Sequence, residues 1–472
     1  MKDLFKSVLL GAALLLAPFV SIRAQSTWQT VDVFQLPGNP SSQLQSLVVD
    51  SAGRVFTAGY GNGQNTPYSF LVRRSADGGV TWTNVLSIIV PRSSNPVKEC
   101  KLAVDAGGAV YLVHGTGSRT PNSADASHWI VRKSADHGDS WSIVDDFVYQ
   151  ANYPAGPTTI GCEGDGVISV VGWATSAANT AGDCLLRRST DGGTNWATTS
   201  VLSPGLRWGD AILRAGQSLF VAGDAYLDGS GDTASVIRRS RDDGLSWEPA
   251  DMLPKGGAKG LVALTGGALM AVGSSTDGEG NSHWLTRRST DGGATWLTVD
   301  DYRPGSNLGD GAGALAIAAD ASKIVVVGGR SPATWHVRTS TDGGTSWVLA
   351  DDFRLAPTNT AGARAVAMDP AGNVFVGGWN IMPGGPGVPS QTFWVVRKLA
   401  ASPPSLASSF TGGLLSLAWP TNAPGFVLQS ASTLTNGGDW QDAGQTPAVS
   451  NGRNLVTLPV THPAAFFRLR QP

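Results

Sequence analysis

Apolar and polar positions alternate along this chain in short runs, and the pattern repeats. A run such as LVVDSAGRVFTAG from Leu47 reads as an apolar strand, a glycine-containing turn and a second apolar strand. LAVDAGGAVYLVHG from Leu102 and AVAMDPAGNVFVGG from Ala365 have the same form, and AILRAGQSLFVAG, LVALTGGALMAVG and LAIAADASKIVVVGG are looser versions. Their near-continuous apolar character predicts strands buried on both faces. After each comes a long polar stretch, then a third apolar run ending in two basic residues, as in WLTRR or FLVRR.

The third run leads into a fixed motif. RRSADGGVTW begins at Arg73, RKSADHGDSW at Arg132, RRSTDGGTNW at Arg187, RRSRDDGLSW at Arg238, RRSTDGGATW at Arg287 and RTSTDGGTSW at Arg338. The spacings are 59, 55, 51, 49 and 51 residues, a period suited to one strand-built repeat unit. The shared skeleton is Ser-x-Asp-x-Gly-x-x-Trp. It comprises Ser75, Asp77, Gly79 and Trp82; Ser134, Asp136, Gly138 and Trp141; Ser189, Asp191, Gly193 and Trp196; Ser240, Asp242, Gly244 and Trp247; Ser289, Asp291, Gly293 and Trp296; and Ser340, Asp342, Gly344 and Trp347. The Asp can accept backbone N–H bonds inside a tight turn, and the Gly supplies a positive φ. The Trp is an apolar anchor that must be buried.

This motif resembles the Asp-box of the sialidase superfamily. The resemblance implies an all-β chain, a β-propeller in which the box joins the third and fourth strands of a blade. It also implies that the boxes are structural and lie away from any substrate pocket. Seven inner hairpins but six boxes are present. The seventh unit ends at WVVRKLA, Trp394 to Ala400, and TWQTVDVFQL from Thr27 resembles the strands that follow the boxes, with Trp28 in the box-Trp position. A seven-bladed propeller closed by its N-terminal strand is therefore expected, which would remove the open edge.

The chain begins with Lys2 and Lys6, an apolar stretch Val8 to Val20, and a cleavage-site pattern ending at Ala24. A signal peptide over 1–24 is predicted, the stretch being too short to span a bilayer, with a secreted, periplasmic or cell-surface destination. The propeller is expected over 25–400. Pro403-Pro404 marks a linker at 401–405, and 406–472 is expected to be a small β-sandwich. Its LQS and terminal FFRL strands resemble the short C-terminal modules of secreted proteins of the Verrucomicrobia–Planctomycetes type.

The formal charge of −2 gives no electrostatic case for nucleic acid. No cofactor or metal is implied: Asp277-Gly-Glu279-Gly-Asn281 echoes a calcium loop, but Arg288 stands where its bidentate Glu belongs. Three Cys (100, 162 and 184) leave at least one without an intramolecular partner. Cys184 aligns with Phe70, Trp129, Trp284, Trp335 and Trp394, a packing position. Asp145-Asp146, Asp300-Asp301 and Asp351-Asp352 could suggest paired catalytic carboxylates. Their recurrence on an outer strand favours edge protection instead.

Candidate binding residues lie where the inner strands begin: Lys101, Asp210, Lys259, Asp310 and Arg364, beside the blade-linking Arg303 and Arg354. If they face the axis, they form a polar mouth of mixed sign. The resemblance implies that catalysis would need a Tyr–Glu pair, an Asp acid/base and three arginines. The first arginine normally lies in a Phe/Tyr-Arg-Ile-Pro stretch near the propeller's start, and Trp28 to Leu47 contains no Arg. Glu occurs only at 99, 163, 248 and 279. No catalytic residue is assigned. The expected function is non-catalytic binding of a glycan or an extracellular protein at the loop-rich axial face, by a monomer. The alternatives are a glycoside hydrolase, of exo-sialidase type or another, and a purely structural scaffold.

Overall fold

The computed structural model describes residues 27–38, 41–62, 68–90, 97–119, 127–178, 182–202, 206–227, 233–303, 313–320, 323–330, 334–401, 406–420, 426–432, 440–450, 453–459 and 466–470. The predicted leader at 1–24 lies outside them. So does Asp310.

Every regular element among the described residues is a β-strand, and no helix there is long and apolar enough to cross a membrane. A four-stranded antiparallel sheet recurs. In one copy Gly256–Ala263 pairs with Leu269–Thr276, which pairs with Ser282–Ser289, which pairs with Leu297–Tyr302. Equivalent sheets span 100–147, 155–201, 208–254 and 313–353. An eight-stranded sheet joins two more such runs, 41–90 and 360–399, through one parallel bridge between Ser41 and Thr392. The first strand of each run packs on the first strand of the next, and the strand at 360–368 returns to the strand at 41–49. The ring of four-stranded antiparallel units is a β-propeller.

The run at 360–399 takes its fourth strand from the other end of the chain. Trp28–Phe34 pairs antiparallel with Gln391–Leu399, in the register Trp28↔Leu399 and Thr30↔Arg397. In the neighbouring sheet Val348 faces Thr339 and Leu349 faces Arg338, so Trp28 occupies the register of Trp347.

Each motif turn is closed by its own side chains. Ser289 Oγ donates to Asp291 Oδ1 at 2.8 Å and accepts from the Gly293 N–H at 2.9 Å. Asp291 also accepts from the N–H groups of Ala294 and Thr295 and from the Thr295 hydroxyl. In the first turn, the hydroxyl and N–H of Thr81 hold the Asp77 carboxyl down at about 2. Two consecutive residues are left-handed, Gly292 at φ 69° and Gly293 at φ 83°. The first position also takes His137 and Asp243. The second is Gly in all six, because it also faces the preceding sheet: a Cβ on Gly293 would strike Phe220, and one on Gly344 would strike Met270.

Where two basic residues precede a turn, they connect sheets in opposite directions. The first reaches back. Arg187 grips Asp145, Arg287 grips Asp251, Arg338 grips Asp300 and Arg397 grips Asp351, each through two nitrogens at 2.6–3.1 Å. Arg73 reaches Asp32 through one nitrogen at 3.1 Å. The second reaches forward to a turn carbonyl of the next sheet, as Lys133 does to Gly192 at 2.7 Å and Lys398 to Gly78 at 2.8 Å. This corrects the edge-protection reading of the Asp pairs. The first Asp of each pair is drawn in as an inter-sheet ion pair, and the second stays half-exposed, where Asp146 and Asp301 meet His128 and His283.

Buried Trp129, Trp284, Trp335 and Trp394 fill the gaps between sheets. Cys184 takes the same place in a cluster with Val171 and Leu186. Burial pushes the thiol of each of the three cysteines up to about 12. Residues 407–470 form two small sheets that share a cluster of Leu417, Trp419, Leu428 and Val456.

Candidate functional site

The innermost strands carry a defect that recurs with the repeat. Pairing between the first and second strands skips one residue at Gln45, Thr158, Asp210, Lys259, Leu315 and Arg364. Such a β-bulge re-aims the unpaired residue. Opposite each bulge stands a glycine: Gly59, Gly172, Gly223, Gly273, Gly328 and Gly378. The close approach of the bulged backbone requires it. A Cβ on Gly223 would collide with the Trp208 carbonyl, and one on Gly378 with the Gly362 carbonyl. The sheet at 100–147 has His114 at this register, paired with Cys100 in a ladder without a bulge.

The bulged residues Gln45, Thr158, Asp210, Lys259 and Arg364 line one cavity of about 470 Å³ together with Lys101. Glu99, Arg119, Trp173, Arg207 and Trp208 complete most of its wall. Of the residues anticipated from sequence, Lys101, Asp210, Lys259 and Arg364 are brought together here. Arg303 is exposed and lies 3.7 Å from Asp277, and Arg354 bonds the Pro357 carbonyl at 3.2 Å; neither lines the cavity. The bulge register equivalent to Asp210 falls in the next sheet but one at Leu315. Sequence reasoning missed the bulged Thr158 and also Arg119, Trp173 and Trp208, which come from strand ends and a loop. Thr158 had a signal, the glycine Gly172 within its own hairpin, which recurs at the equivalent position of the other bulged repeats.

Among the described residues of this wall five cations face two carboxylates, and both carboxylates are engaged. Glu99 is ion-paired with Arg119. Asp210 accepts from Lys259 Nζ at 2.7 Å, and the same ammonium reaches Asp224 at 2.7 Å. Burial opposes the Lys259 charge, but the two carboxylates outweigh it and hold the ammonium above its ordinary value. The other cations have no carboxylate. Lys101 Nζ donates to the Gln45 carbonyl at 3.2 Å. The Arg364 Nε and Arg207 Nε are buried without a hydrogen-bond partner. Arg207 lies between the rings of Trp208, at 4.3 Å, and Tyr226, at 4.1 Å. Burial lowers the pKa of Lys101, Arg207 and Arg364.

Tyr60 stands near enough to Arg364 and Arg119 to feel their charge, yet burial raises its phenol above the ordinary value, and its hydroxyl donates to Gln43 at 3.0 Å. The remaining glutamates are structural or peripheral: Glu163 is buried between Arg188 and Arg214, and Glu248 pairs with Arg239 on an outer strand. Among the described residues no cluster of His, Cys, Asp or Glu could hold a metal ion.

Fold and site together define a β-propeller with a cation-rich axial cavity. No family model matches the chain, and no curated protein matches it. Among solved structures it is similar to YCF48 bound to D1 peptide, with 14% identity over 79% of this chain and 97% of that one, at a TM-score of 0.45. It is similar to a GH74 xyloglucanase from Xanthomonas campestris, with 15% identity over 84% of this chain and 60% of that one, at 0.49. A Hadza microbial sialidase shares 15% identity over 61% of this chain and 63% of its own, at 0.45. The fold assignment rests on the chain's own sheets.

Proposed function

We propose that this chain is an exported propeller that binds an acidic glycan in its axial cavity without catalysing a reaction. In this reading residues 1–24 are a leader, 25–400 form seven blades closed by the N-terminal strand, 401–405 are a linker, and 406–472 are a β-sandwich accessory module. The motif residues keep the blades together, and the ligand meets Lys101, Arg207 and Arg364.

One observation carries the reading. Three cations face the cavity without a carboxylate, while Glu99 and Asp210 are committed to Arg119 and Lys259. A buried cation without a counter-ion is unfavourable, and an incoming carboxylate or sulfate relieves it. Trp173 and Trp208 supply flat apolar surface suited to the C–H face of a sugar ring. Catalysis by a Tyr nucleophile, or by an acid/base pair of carboxylates, needs groups free to exchange protons. Here the phenol of Tyr60 is held protonated and each axial carboxylate is neutralised by a neighbour.

The test is a glycan array with the mature protein, alongside turnover assays on a fluorogenic sialoside and a panel of aryl-glycosides. Arg364→Ala should weaken binding to acidic glycans about 10- to 100-fold, the cost of one charge-assisted contact. It should leave the melting temperature nearly unchanged. Binding should also fade on the alkaline side, below the ordinary lysine range. Burial lowers Lys101, an anion favours its charged form, and that form is lost as pH rises through the lowered pKa. Turnover on any substrate would overturn the non-catalytic reading.

A further inference from the structure

Lys259 forms part of two cavities. On its other side lies a groove of about 500 Å³ between the sheet at 208–254 and the sheet at 256–302. Its lining has a different chemistry from the axial cavity. Among the described residues it contains the hydroxyls of Thr233, Ser274 and Thr276 and the backbone of several glycines, with no aliphatic or aromatic side chain, and Lys255 and Lys259 stand against Asp224 and Asp277. Asp224 is already engaged, its Oδ2 accepting from Lys259 Nζ at 2.7 Å, and its Oδ1 lies buried against the Gly257 backbone. Lys255 is left-handed at φ 57°, which is uncommon outside glycine, and its carbonyl is pinned by the Thr276 N–H at 2.7 Å. Strain of this kind concentrates where a ligand is held.

Building on the axial-site reading, we propose that cavity and groove are adjoining subsites for one chain. An acidic sugar occupies the cation-rich axial cavity, and the neighbouring neutral sugar lies in the groove. The charge difference argues for this order: among the described residues, five cations stand against two carboxylates on the axis, and two against two in the groove. The hydroxyl-lined wall of Thr233, Ser274 and Thr276 fits a residue rich in hydroxyl groups and without charge. Lys259, bridging Asp210 and Asp224 at 2.7 Å each, sits at the junction. The preferred ligand is therefore a polysaccharide in which acidic and neutral units alternate, rather than a single terminal acid.

Calorimetric titration of the full mature chain tests this with four probes: glucuronate, a hyaluronan tetrasaccharide, an oligogalacturonate tetramer and cellotetraose. The alternating tetrasaccharide should bind at least about ten-fold more tightly than glucuronate and than the uniformly acidic tetramer, with cellotetraose weakest. Gly278→Trp fills the groove. A Cβ there meets nothing within 4 Å, and its φ is not left-handed. That variant should reduce the tetrasaccharide to the affinity of glucuronate while leaving glucuronate itself unchanged. Thr233→Trp, on the neighbouring sheet, should do the same. If glucuronate and the alternating tetrasaccharide bind equally, or if both Trp variants leave the tetrasaccharide unaffected, the two-subsite proposal fails and the axial site stands. Equal binding of the uniformly acidic tetramer also overturns it. If no acidic probe binds, the axial reading falls and this proposal with it.

Discussion

The rim and the axis of this propeller are products of one repeat, and they treat sequence in opposite ways. At the rim, six turns hold Ser, Asp, Gly and Trp in the same places, and nearly every polar atom has a partner within the turn. At the axis, one bulge recurs in six hairpins, but the bulged residue is Gln, Thr, Asp, Lys, Leu or Arg. The rim repeats residues because its bonds are made by side chains. The axis repeats only a backbone shape, which leaves the side chain free to differ, and function needs that freedom. Between them runs the layer of Arg–Asp clamps. It repeats incompletely: Leu86 and Ser200 stand where the other outer strands carry Asp, so Arg132 turns to His114 at 3.3 Å and Arg238 to the Trp247 carbonyl at 3.4 Å.

The largest effect should come from breaking a clamp that is present. Asp300→Ala strands the Arg338 guanidinium between sheets, which should cost about 3–5 kcal/mol, the usual penalty for orphaning a buried charge. Arg238 already has no carboxylate. Arg238→Met should therefore cost less than about 1 kcal/mol or stabilise the fold. Urea unfolding of both variants measures the difference. Equal losses would mean that these arginines act by packing their stems rather than by pairing.

Axis and rim should also separate by glycine. Gly223→Ala places a methyl against the Trp208 carbonyl, so either the bulge at Asp210 is expelled or the strands part. A loss of about 1–3 kcal/mol is expected, as for other overpacked sites. The Lys259–Asp210 contact would be disturbed with it, and acidic-glycan binding should fall. At the rim, Gly292 is left-handed with nothing within 4 Å of a Cβ. Gly292→Asn should cost under about 1 kcal/mol, since Asn tolerates that conformation and His137 and Asp243 already occupy the equivalent position.

These two glycines also mark how far sequence alone reaches. The turn motif was legible, together with the strand pattern and the register of Trp28, because hydrogen-bond geometry and burial each demand particular residue types at fixed spacing. The axial wall was legible only in part. Lys101, Asp210, Lys259 and Arg364 announced themselves by starting apolar strands with a charge. Thr158 did not, because a bulge places no demand on its own side chain. Arg119 reaches the cavity from a loop, and Trp173 and Trp208 from the ends of inner strands, at positions where the repeats carry different residues. The glycine at the end of each second inner strand was the readable sign of the bulge. His114 in its place marks the one hairpin whose ladder is regular.

The seam where the two chain ends meet offers a smaller and more specific test. Asp32 is the clamp residue contributed by the N-terminal strand, and it is the least well satisfied of the five. It receives one bond from Arg73, and its Oδ2 is buried without a partner. Burial outweighs the guanidinium and pushes its carboxyl up to about 6. In an unfolded chain an Asp titrates near 4. Between those values the folded state holds a proton that the unfolded state has released, so stability falls as pH rises through this window. The ionised clamp is thus a cost at neutral pH. Asp32→Asn keeps the shape, removes the titration, and can donate to neighbouring acceptors. Relative to the parent chain, the variant should gain about 1–3 kcal/mol between pH 4 and pH 7, read from urea midpoints at the two values. At Asp145, doubly bonded to Arg187 at 2.8 and 2.9 Å, the same substitution breaks a bidentate clamp and should be destabilising. If the two Asn variants behave alike, the closing strand is as well seated as the blades it joins, and the seam is not the weak point of the ring.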